Sequence, residues 1–221
     1  GLGAGGASVR VGCVGARLAL EIAAAWLAGT LSRTAGRGGG TTLPGKILWK
    51  LDPGAIDALA GRLPEGSVVV SATNGKTTTT AMAARILGDA RRLAWNRSGA
   101  NLASGVASTL LRARTAELGL LEVDEFALPE MLRRVRPRVV VLANLFRDQL
   151  DRYGELEHIA ERWREAVARL PSETALVVNG DDPLVADIAH GRQSVLRYGL
   201  DDTRVARAAL QHAADSKYCL R

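Results

Sequence analysis

From Ser67 onward, short apolar runs alternate with longer segments of helical spacing. The runs are Ser67 to Ser71 (SVVVS), Gly119 to Val123 (GLLEV), Arg138 to Ala143 (RVVVLA) and Thr174 to Val178 (TALVV), with a weaker one at Ser194 to Tyr198. Between them, Thr77 to Leu87, Asn101 to Arg114, Glu125 to Val135, Glu155 to Leu170 and Pro183 to His190 have the length and period of helices. Near-continuous Val and Leu runs predict strands buried on both faces, and strand-to-helix alternation predicts crossovers between parallel strands. The expected core is therefore α/β, a doubly wound, mostly parallel sheet.

The first part of the chain reads differently. Val11 to Thr30 is apolar enough to suggest a membrane span, but Arg17 and Glu21 lie inside it at i,i+4 spacing, which favours a surface or amphipathic helix. Arg33 to Lys46 (RTAGRGGGTTLPGK) has no periodicity and is expected to be a loop, either a linker or a backbone-rich anion contact. A short helix is expected over Pro53 to Leu63, with Asp52 as N-cap and Pro53 in its first turn. The implied organisation is an amphipathic helix and Gly-rich loop over 1–50, then a nucleotide-binding α/β domain over 51–221.

Composition narrows the class. The chain has 221 residues, 47% hydrophobic and 24% charged, which fits a globular protein and excludes disorder as the main state. A net charge of +6 is unevenly placed: residues up to Leu118 carry 14 basic and 6 acidic side chains, so the first half is basic and the second slightly acidic. Nucleic-acid stacking has little support at 4% aromatics, whereas an anionic small ligand or a membrane surface fits. Cys13 and Cys219 cannot form a disulfide framework and the start lacks the pattern of a secretory signal, so a cytoplasmic location is expected. Gly1 and the Cys219-Leu220-Arg221 end read as the limits of a fragment.

The main chemical signal follows the first core strand: Ala72-Thr73-Asn74-Gly75-Lys76-Thr77-Thr78. A buried strand, a tight turn at Gly75 and a helix beginning near Thr77 aim unpaired N–H groups and the positive helix end at one point, a phosphate site. Lys76 would reach the terminal phosphates, and the Thr77 hydroxyl would take a place on Mg²⁺. The full phosphate-loop pattern requires Gly where Val70 stands, so the bare signal also fits a helix start that Thr residues merely cap. Glu122, at the carboxyl end of its strand, can either hold Mg²⁺ opposite Thr77 or cap the next helix, while Asp124 and Glu125 read as charges at that helix start.

The string TNGKTTT resembles the ATP-binding loop of the Mur ligase family, whose members include folylpolyglutamate synthetase. Gly36 to Lys46, Gly99-Ala100-Asn101-Leu102, Glu122-Val123-Asp124-Glu125 and Asn144 to Glu155 look like the MurT type, the ligase-like subunit of lipid II isoglutaminyl synthase. The resemblance implies a phosphate-loop Mur ligase central domain with ATP and Mg²⁺ as cofactors. It implies nucleotide contacts from Thr73, Asn74, Gly75, Lys76, Thr77 and Thr78, catalytic roles for Lys76 and Glu122, and Mg²⁺ held by Thr77 and Glu122. Asn179 and Asp182 in NGDDP would meet adenine and ribose; the same residues also suit a capped turn.

The implied activity is ATP-dependent amidation of the D-glutamate α-carboxyl of lipid II through an acyl phosphate. Ammonia would come from a GatD-type glutaminase partner, with docking at the inner membrane face. Where amino-acid-adding relatives have DHLD, this chain has Asp148-Gln149-Leu150-Asp151, and no Lys occurs from Leu156 to Leu170, where Trp163 falls near the place of a carbamylated Lys. That departure puts a second metal site in doubt. Cys219 looks like the first ligand of a zinc ribbon that one thiolate cannot complete. His158, His190 and His212 show no ligand spacing. The family's C-terminal domain is expected to be missing, leaving a fragment that binds ATP weakly without turnover. An amino-acid-adding or folylpolyglutamate-type ligase, or a non-catalytic partner-binding remnant, are the alternatives.

Overall fold

In the computed structural model, the described residues are 18–25, 27, 42–97, 99–146, 155–202 and 204. The elements are α1, described over residues 18–25, α2 (Leu43–Leu51), α3 (Ala55–Ala60), β1 (Ser67–Ser71), α4 (Lys76–Gly88), β2 (Leu93–Trp95), α5 (Ala103–Arg112) and β3 (Leu118–Glu122). They continue with α6 (Leu128–Val135), β4 (Val139–Leu142), α7 (Glu155–Ala168), β5 (Ala175–Asn179), α8 (Pro183–Ile188) and β6 (Val195–Tyr198). The strands form one six-stranded sheet in the order β2-β3-β1-β4-β5-β6, and every pairing is parallel.

Alternation along β1 assigns the two faces. Val69 joins a large cluster with Leu121, Val140, Leu142, Val178 and the inward sides of α5 to α8, whereas Val70 and Leu120 pack under Ala84 of α4. Helices thus cover both faces over the centre, as a doubly wound sheet requires. Towards β4 and β5 the alternate positions Val139, Val141, Ala175 and Val177 are only partly buried, so those runs are covered fully on one face. The α1 segment buries Leu18 and Ala25 and exposes Leu20, as an amphipathic helix should. Among the described residues no helix is long and apolar enough to cross a membrane.

Three local expectations need correction. The loop expected to reach Lys46 gives way to α2 at Leu43, with Pro44 in its first turn. Gly45 sits so close to α5 that an added Cβ would lie 2.0 Å from the Ser104 carbonyl oxygen, and its N–H donates to Ser108 Oγ at 2.9 Å. Gly is there for contact between helices, which is why the segment reads as a loop. Asp52 is not the N-cap of the next helix: it closes α2, and its Oδ1 accepts from the Gly54 N–H, delaying α3 to Ala55. The edge strand β2 was not anticipated, because three residues between Arg92 and Asn96 carry no alternation to read.

Candidate functional site

β1 ends at Ser71, and the chain turns through Thr73 and Asn74 into Gly75, which takes φ +78° as the N-cap of α4. Open space surrounds the position of a Cβ on Gly75, so the left-handed conformation, not crowding, demands glycine. Asn144, just beyond β4, fastens this turn: its Oδ1 accepts from Asn74 N–H at 2.9 Å and its Nδ2 donates to the Asn74 carbonyl at 3.0 Å. Thr73 N–H donates to the Asn144 carbonyl, and Thr73 Oγ1 accepts from Phe146 N–H at 3.1 Å. Thr77 and Thr78 lie exposed on the first turn of α4.

Val70 and Glu122 are register partners in the β1–β3 ladder, so the loop after β1 and the end of β3 emerge side by side. Glu122 is 1% exposed. Its Oε1 accepts from the Thr77 hydroxyl at 2.9 Å and from Asn101 Nδ2 at 3.4 Å, whereas Oε2 is buried with no partner among the described residues. The Gly99 to Leu102 motif thus reaches the same point, with Gly99 at φ +63° beside the Thr77 hydroxyl. Asn96, buried just after β2, clamps the Glu122 backbone: its Oδ1 accepts from Glu122 N–H and its Nδ2 donates to the Glu122 carbonyl at 2.7 Å. Sequence reasoning missed Asn96, whose only local sign is an amide following a strand too short to notice.

Lys76 folds back over the turn. Its ammonium donates to the carbonyls of Ala72 and, at 3.1 Å, Thr73, and pairs with Glu125 Oε2 at 2.9 Å. Glu125 is therefore not simply a charge at a helix start; α6 begins only at Leu128, after a turn in which Asp124 accepts from Phe126, Ala127 and Leu128. Trp163 of α7, fully buried, donates its indole N–H to the Glu125 carbonyl at 2.9 Å.

At the end of β5, Asn179 Oδ1 accepts from Asp181 N–H, and Asp182 caps α8 with Oδ1 while Oδ2 accepts from Leu145 N–H at 2.8 Å. Asp182 thus has both oxygens on backbone amides and ties β5 to the loop that fastens the phosphate turn. Burial, then the Asp181 and Asp182 carboxylates, raise the Tyr198 phenol above its ordinary value. Asp148, Gln149 and Cys219 lie outside the described residues.

This arrangement fits a magnesium nucleotide. No group of three or more His, Cys, Asp or Glu able to cage a metal exists among the described residues. A hydroxyl and one carboxylate oxygen with unused capacity instead match a cation that keeps its water and takes ligands from phosphate.

Residues 70–219 match the family described as Mur ligase middle domain. The chain is 39% identical over 152 residues to lipid II isoglutaminyl synthase (glutamine-hydrolysing) subunit MurT of Streptococcus pneumoniae, covering 66% of this chain and 33% of that protein. It is 34% identical over 177 residues to the MurT subunit of Staphylococcus aureus, covering 79% and 40%. The chain thus spans about a third to two fifths of the length of these curated relatives. Among solved structures, MurF ligase from Thermotoga maritima in complex with ADP superposes with a TM-score of 0.59 at 22% identity, covering 67% of this chain and 36% of that one, a likeness of fold. With the family match across most of the sheet and the same fold in a solved ligase, the chain belongs to the Mur ligase family.

Proposed function

We propose that this chain is the nucleotide-binding part of a MurT-type subunit, which amidates the D-glutamate α-carboxyl of lipid II at the expense of ATP, with ammonia from a GatD-type glutaminase. The observation that carries the reading is the juxtaposition of the Gly75 turn, the Thr77 hydroxyl and a buried Glu122 with one unpartnered oxygen. The relatives, named as subunits of a glutamine-hydrolysing lipid II isoglutaminyl synthase, support the reading and imply a partner subunit.

The backbone N–H groups at the start of α4 and the Lys76 ammonium bind the terminal phosphates. Thr77 and Glu122 would hold Mg²⁺, which when bound neutralises phosphate charge. Asn179 would meet the adenine and ribose, whereas Asp182, buried with both oxygens on backbone amides, does not serve as the expected nucleotide contact and instead fixes this strand end. The γ-phosphoryl passes to the substrate carboxylate oxygen, giving an acyl phosphate and ADP. The ammonia lone pair then attacks the carbonyl carbon, the C–O bond to phosphate breaks, and the proton shed by the nitrogen passes to the departing phosphate, giving the amide and hydrogen phosphate. Positioning and charge neutralisation dominate such transfers, so the chain needs no nucleophile of its own. Trp163, buried and hydrogen-bonded near the place of the carbamylated Lys, favours amidation over amino-acid addition.

Isothermal titration with a non-hydrolysable ATP analogue and Mg²⁺ tests the site: the unaltered chain binds, and Lys76→Ala, with an unchanged circular-dichroism spectrum, loses most of the affinity. Equal affinities would remove Lys76 from the mechanism. Mass spectrometry of lipid II after incubation with ATP, glutamine and a GatD-type subunit tests the reaction. We propose that the 221 residues alone show binding without turnover.

A further inference from the structure

The Lys76 ammonium has three hydrogens and three acceptors: two carbonyls of its own turn and the Glu125 carboxylate. No donor is left for a phosphate. The pair is well shielded, with side chains 11% and 14% exposed, so it is stronger than a solvated surface pair. The Glu125 backbone is fixed: the preceding Asp124 N–H donates to the Asn101 carbonyl at 2.9 Å, and the Glu125 carbonyl itself is held by the buried Trp163 indole. Only the Glu125 side chain is free to leave.

We propose that Glu125 is the positioning residue of the phosphate-loop lysine, holding its ammonium over the turn as a stand-in anion until a nucleotide's terminal phosphate displaces it. This rests on the nucleotide reading above and adds to it a discrimination. A ligand must bring enough charge at the β- and γ-positions to outcompete a carboxylate, so a triphosphate exchanges with Glu125 and a monophosphate does not reach it. Glu125 also keeps an otherwise uncompensated cation neutralised in the empty site.

The test uses the 221-residue chain with ¹⁵N-labelled lysine. In the ligand-free chain the Lys76 ammonium signal is protected from solvent exchange, and Glu125→Gln, which keeps the shape and an acceptor but removes the charge, accelerates that exchange. Glu125→Gln also raises affinity for a non-hydrolysable ATP analogue by about fivefold while leaving AMP affinity unchanged, because AMP carries nothing to Lys76. An ammonium signal indifferent to the substitution overturns the proposal, as does a change common to AMP and the analogue, which marks a merely structural residue. If the unaltered chain binds no analogue, the nucleotide reading fails and takes the displacement with it. If the analogue binds but Glu125→Gln and the unaltered chain behave alike, only the role of Glu125 is lost.

Discussion

Glu122→Gln is expected to make the empty protein more stable and the loaded protein less so. The carboxylate is 1% exposed, with Oε1 served by Thr77 and Asn101 and Oε2 by nothing among the described residues. An unpartnered buried polar group costs about 1–3 kcal/mol, and more when charged. Glutamine keeps the outline and the acceptor facing Thr77 and removes the charge, so about 1 kcal/mol of stability should return, raising the melting midpoint by roughly 2–4 °C for a chain of this size. Saturating magnesium nucleotide at a hundred times its Kd should add about 2.7 kcal/mol to the parent by mass action. The variant, having lost the anionic ligand, should gain far less. Scanning fluorimetry of both proteins, empty and with Mg²⁺ and ADP, reads the two effects together. A variant that melts lower when empty and keeps the full increment with ligand would refute the reasoning, because Glu122 would then be a structural hydrogen-bonding residue.

Gly75→Ala should cost about 1–2 kcal/mol in urea unfolding through its left-handed backbone alone, with helix content unchanged, since no atom stands near the new methyl group. Asp182→Ala removes the acceptor for the N–H groups of Leu184, Val185 and Leu145 and should cost about 2–3 kcal/mol, read by the same unfolding curves. Glu130 is held below the usual carboxylate range first by the hydrogen bond from Arg133 and also by Arg134, against the opposing effect of burial. A depressed carboxyl group stabilises the fold above its unfolded-state pKa and loses that contribution as pH falls through the folded value. Glu130→Gln should therefore cost at most about 1 kcal/mol at pH 7, and the gap to the parent should narrow as pH falls below the ordinary carboxylate range and close below the depressed value of Glu130.

What could be read in advance follows from how local each signal is. The strands of the sheet centre were legible because unbroken β-branched runs, Val68 to Val70 and Val139 to Val141, favour a strand wherever they stand. The meeting of Thr77 and Glu122 was legible because one follows the turn after β1 and the other ends β3, and strands of a parallel sheet bring such ends to one edge. Glu125 was misread because its neighbours in sequence suggest a helix start, whereas its partner Lys76 lies 49 residues away. The α2 helix was hidden for a similar reason: Gly45 is dictated by Ser104 and Ser108 on another helix, and nothing beside it says so. The Asn96 clamp depended on β2, whose three residues gave no alternation.

The pairing of Val70 with Glu122 has a consequence for how such a protein can change. The spacing between the Gly75 turn and the acid is inherited from the main-chain ladder in the middle of the sheet, so it is indifferent to side-chain drift at the β6 rim. Substitutions in the far edge strand β6 can therefore accumulate while turn and carboxylate keep their separation.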